Sequence, residues 1–143
     1  MSSATQPVPP ARRAGWVPAL RRGAAWLHLA LALAIALGVF LQVYLIGAYI
    51  FGAGSAALDA HTTVGFTIHG LEVLLLLVAL AAWLPRTDVG LSFLMAVLGT
   101  TQIALADAHA WTGALHPFGA LFVLVLAAAI ARRDLQRRRT APA

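Results

Sequence analysis

Residues 24–51 read AAWLHLALALAIALGVFLQVYLIGAYIF, directly after Arg21-Arg22-Gly23, and contain no Asp, Glu, Lys or Arg. A helix needs about 20 apolar residues to cross a bilayer, so this stretch is long enough to span. It is too long for the apolar core of a signal peptide, and no small-residue cleavage site follows it, which makes it an uncleaved helix. Working outward, three more apolar runs cover about residues 63–83, 89–106 and 112–131. Pro85 ends the second, and Thr87 or Asp88 is placed to cap the third through a side-chain oxygen. Pro117 either opens the fourth at its first turn, where a missing N–H costs nothing, or kinks a longer helix starting near Asp107. The expected fold is all-α: an integral membrane four-helix bundle, up-down-up-down, built as two repeated helical hairpins. Residues 1–23 are expected to form a disordered N-terminal segment and residues 132–143 a basic tail.

Composition agrees with a membrane chain. Hydrophobic residues make up 61% of the 143 and charged residues 10%, with mean hydropathy +0.84. Soluble domains carry about 25% charged residues, so a soluble enzyme, a disordered chain and a nucleic-acid module are excluded. All ten basic residues are arginines. Arg12, Arg13, Arg21 and Arg22 precede the first span, Arg86 separates the second and third, and Arg132, Arg133, Arg137, Arg138 and Arg139 follow the fourth. The two other loops hold none. Positive residues stay on the cytoplasmic side, which predicts a multi-pass protein of the cytoplasmic (inner) membrane with both termini inside. The tail could also meet anionic lipid headgroups, although a topology signal alone explains it. With no cysteine, there is no disulfide, thiolate metal site or covalent haem attachment.

Polar residues inside the spans carry the functional signal. Asp59-Ala60-His61 and Asp107-Ala108-His109 stand at the two arginine-free turns, each with a glycine four residues on (Gly65, Gly113) and a further histidine (His69, His116). Gln42 and Gln102 precede the two sets. Spans two and four sit diagonally opposite in such a bundle, about 12–14 Å apart from neighbouring axes at 8–10 Å. That gap suits an imidazole–iron–imidazole sandwich. Equally, histidines at helix ends often face only headgroups and water, which is the simpler reading of His61 and His109. His69 and His116 lie deeper, where polar groups are costly and usually have a partner. Counted from Arg86 and Arg132, His69 and His116 match in depth, whereas His61 is nine residues too shallow. Glu72 shares a face with His69 and would act as a proton relay, a partner of His69 or an interhelix hydrogen bond. Gln42 and Gln102 read as interhelical hydrogen-bonding groups. His28 reads as structural.

Gln42, Gln102, His61 with Gly65, and Leu115-His116-Pro117 also resemble the pattern of a family of small four-helix membrane proteins of unknown function from high-GC bacteria. The resemblance covers about residues 25–133. Members often carry Asn-Gly after the final histidine, where this chain has Phe118-Gly119. It implies the same four-helix fold and favours His61, rather than His69, as the partner of His116. The layout is more distantly similar to half of a haem A synthase or a small b-type membrane cytochrome, in which histidines on alternate helices hold haem.

Two kinds of function follow, with a third as their background. The first is a b-type haem protein with bis-histidine ligation between helices two and four near the outer leaflet. It would use His116 with His61, His69 or His109, and serve electron transfer or haem holding for a redox or haem-accepting membrane protein. No outer arginines are present to pair with haem propionates, which counts against it. The second is a zinc or copper site at the outer face from Asp59, His61, Asp107 and His109. The background reading is a cofactor-free accessory or scaffold subunit held together, also as an oligomer, by small residues such as Gly38, Gly47 and Gly99. No nucleophile–base pair is readable, so an enzyme is not expected.

Overall fold

The structure is a computed structural model that describes residues 15–140; the expectation for residues 1–14 and 141–143 lies outside them. The helices are α1 (Trp16–Ile50), α2 (Ser55–Ala81), α3 (Arg86–Ala106), the short α4 (Ala110–Gly113) and α5 (Leu115–Thr140). Trp16–Ile50, Ser55–Ala81, Arg86–Ala106 and Ala110–Arg139 are each long and apolar enough to cross a membrane. Helix α1 packs on α2 and α5, and α3 packs on α2 and α5, with no close backbone approach across either diagonal among the described residues. The chain is therefore an all-α four-helix bundle with α2 diagonal to α5.

Each helix buries one stripe at three- and four-residue spacing, the pattern of a helix facing a partner. Helix α1 contributes Ala32, Ile35 and Val39, α2 Ile68, Leu75 and Val78, α3 Met95, and α5 Val123, Ala127 and Ile130. Large apolar side chains such as Leu37, Phe40, Leu77, Phe93 and Val125 point outward. Outward-facing apolar residues suit a hydrocarbon surround, where burial between helices gains little over lipid and close packing holds them together. Gly38 serves that packing, since a Cβ there would lie 2.8 Å from Ile68.

Several boundaries differ from the expected ones. Helix α1 starts at Trp16, so residues 16–23 are helical; Pro18 falls in the first turn, where it removes no helical hydrogen bond. Arg21 then donates to the carbonyls of Ala82 (3.3 Å) and Trp83 (3.4 Å) at the end of α2, and its guanidinium sits 5.4 Å from the Trp83 ring centre. Helix α2 starts at Ser55 rather than near residue 63, after a turn in which Gly52 and Gly54 take positive φ. Pro117 lies in the first turn of α5, the first of its two expected placements.

The largest departure is at the arginine-bearing end. Helix α5 runs on to Thr140, so residues 132–140 are not a tail. Asp88 does not cap α3. Its buried carboxylate instead accepts from Arg133 Nε (2.7 Å) and Arg137 Nη1 (2.6 Å). Arg137 also reaches Asp134, and Asp134 lies 2.7 Å from His28 Nδ1. His28 Nε2 is 2.9 Å from Ser92 Oγ, which donates to the Asp88 carbonyl. These groups tie α1, α3 and α5 together, and His28 and Ser92 are wholly buried. The arginines anchor helices as well as marking one end of the bundle.

Candidate functional site

At the opposite end, α2 and α5 bring His61 and His116 together across the diagonal, with ring centroids 6.2 Å apart and planes at 69°. The neighbouring helices hold each ring. His61 Nδ1 lies 3.1 Å from the Gln42 carbonyl of α1, and His116 Nδ1 2.9 Å from the Gln102 carbonyl of α3. A carbonyl only accepts, so the Nδ1 atoms donate, and in the neutral rings Nε2 keeps its lone pair. Neither Nε2 has a hydrogen-bond partner among the described residues.

The glutamine side chains complete a repeated unit. The Gln42 amide rests where Gly65 has no Cβ, an added one lying 2.7 Å from Gln42 Nε2, and at Gly119 an added Cβ would collide with the Gln102 amide. Both glycines sit about one turn inward of their histidines, so each glutamine grips a histidine with its backbone and fills the adjacent notch with its side chain. Both Oε1 atoms are buried without a hydrogen-bond partner.

The structural repeat is thus Gln42–His61–Gly65 and Gln102–His116–Gly119. The Asp-Ala-His echo is not equivalent in space. Asp59 and His61 lie within α2, whereas Asp107 follows the last turn of α3 and His109 is extended just before α4. Asp59, Asp107 and His109 are exposed, and among the described residues no three His, Asp or Glu side chains are grouped to hold a metal ion. His61 rather than His69 faces His116. Depth counted from Arg132 favours His69, but α5 continues well past Arg132.

His69 pairs with Glu72 instead, Nδ1 to Oε2 at 3.2 Å, and both pack over Gly99 of α3. Gly38 and Gly99 therefore serve contacts within the bundle, while the space around Gly47 is open. The sequence reading missed Ser92 and Asp134 as partners of His28, and Asp88 as the acceptor of Arg133 and Arg137. Their signal was present: each falls on the buried stripe of its helix, where a charged or polar residue needs a partner.

The His61–His116 geometry bears on a metal. A metal–imidazole bond is about 2.0 Å and the ligating nitrogen lies about 1.1 Å from its ring centre. Two imidazoles trans across one metal thus hold their centres about 6 Å apart, and tetrahedral angles reduce this to about 5 Å. The observed 6.2 Å lies within the span of two imidazoles on one metal. His61 and His116, each with Nε2 free of a hydrogen-bond partner among the described residues, are the side chains that would hold a metal or a haem iron. No family model matches the chain, and neither does any curated protein or solved structure.

Proposed function

We propose that the chain is a b-type haem protein of the cytoplasmic membrane, in which His61 and His116 would hold the iron. One observation carries this reading: two histidines on diagonal helices, each with Nδ1 bound to a backbone carbonyl, stand with ring centres 6.2 Å apart, within reach of one iron. Bound haem would supply one-electron redox chemistry. The Gln42 and Gln102 carbonyls orient the rings, and a hydrogen bond at Nδ1 raises the basicity of the ligating nitrogen. The resemblance to the small four-helix family supports the choice of His61. The arginine distribution supports both termini in the cytoplasm and the histidines toward the outer leaflet. The role is electron transfer, or holding haem for an accepting membrane protein.

The test is an absorption spectrum of detergent-purified protein made with haem supplied, oxidised and then reduced with dithionite. Sharp reduced α and β bands that vanish in His116→Ala and His61→Ala are expected. A folded, colourless protein despite excess haem would overturn the reading and leave a cofactor-free subunit.

A further inference from the structure

Eight residues beyond His61 on α2, about 12 Å along the helix, the His69–Glu72 pair is not used by His61 and His116. Glu72 is the one acidic residue in the described middle of the bundle, with a side chain 2% exposed, whereas that of His69 is 23% exposed at the bundle flank. With Glu72 as carboxylate, His69 Nδ1 donates to it and Nε2 is left as an acceptor with no partner among the described residues. His69 lies midway along α2, at a depth where hydrocarbon chains offer no donor and an unmet polar atom is costly. A membrane-dissolved molecule with a hydroxyl can supply that donor.

The depth narrows its class. Sterols and diacylglycerols keep their hydroxyls at headgroup level, so they do not reach His69. A hydroxyl on a ring that itself dissolves in the hydrocarbon does. The flank suits a flat ring: Phe66, one turn away, is 59% exposed, and Gly70 next to His69 opens onto free space. We propose that His69 and Glu72 bind the head group of a membrane-dissolved quinol, whose hydroxyl donates to His69 Nε2. Binding needs no iron, while its meaning as the source of electrons rests on the haem reading above.

The probes are a short-tailed benzoquinol and its dimethyl ether, which keeps the ring and loses the donors. Each is titrated without oxygen onto the protein in lipid nanodiscs, prepared with and without haem supplied. The readouts are the ring ¹⁵N signals of labelled histidine and the binding isotherm. Saturable quinol binding that moves the His69 signals is expected, at least tenfold weaker for the ether and for His69→Gln and Gly99→Ala, and unchanged in His109→Ala. His69→Gln alone suffices should Gly99→Ala not fold. Equal binding of quinol and ether, equal binding by His69→Gln, or no saturable binding would overturn the proposal. A colourless protein that binds quinol in this way would sink the haem reading alone.

Discussion

A carbonyl oxygen has no proton to give, and this decides the state of the two histidines that face each other. Gln42 and Gln102 fix Nδ1–H on His61 and His116 through main-chain atoms, so Gln42→Ala and Gln102→Ala should keep the ring orientations and most of the haem absorbance. The glycines beside them are less tolerant. An added Cβ meets the Gln102 amide more closely at Gly119 than it meets Gln42 at Gly65. Gly119→Ala should therefore lower thermal stability and haem retention more than Gly65→Ala, measured by melting in detergent and by the absorbance per protein. His116, Gln42 and Gln102 could be read directly as polar residues in apolar runs. The pairing of His61 with His116 came only from the resemblance; counting depth missed it, because it depends on where α2 begins and where α5 ends. The turn at Gly52 and Gly54 sets the first, and contacts distant in sequence, such as Arg133 on Asp88, set the second.

Among the elements, α5 differs most from its hydropathy profile. Apolar character ends near Ala131, yet the helix continues because Asp134, Arg133 and Arg137 meet partners on α1 and α3. Breaking a buried ion pair by removing one partner costs about 3–5 kcal/mol. Asp134→Ala, which leaves His28 buried without its acceptor, is expected to destabilise the bundle by that order, read as a lower unfolding midpoint in a denaturant titration. Asp88→Asn should loosen the last turns of α5, seen as faster amide exchange in residues 133–139 while exchange around His116 is unchanged. Hydropathy recovered all four spans, since each is a near-continuous apolar run. It missed the ionic extensions because charged residues were counted as solvated or as topology signals before they could be assigned partners.

For the whole molecule, the orientation inferred from the arginines can be measured. Single cysteines placed near position 15 and near position 140 should both be labelled from the cytoplasmic face in intact cells with a permeable reagent only, and one at Trp111 by an impermeable reagent. Labelling of the two ends from opposite faces would contradict the four-span topology. The bundle also has an internal order along its axis: ionic groups at one end, histidines and glutamines toward the other, and between them Ile35, Leu75 and Met95, each wholly buried. That middle layer works as a gasket. Among the described residues only the Glu72–His69 pair breaks it, so a proton passing through the interior between the His28 cluster and the paired histidines finds that one station on its way.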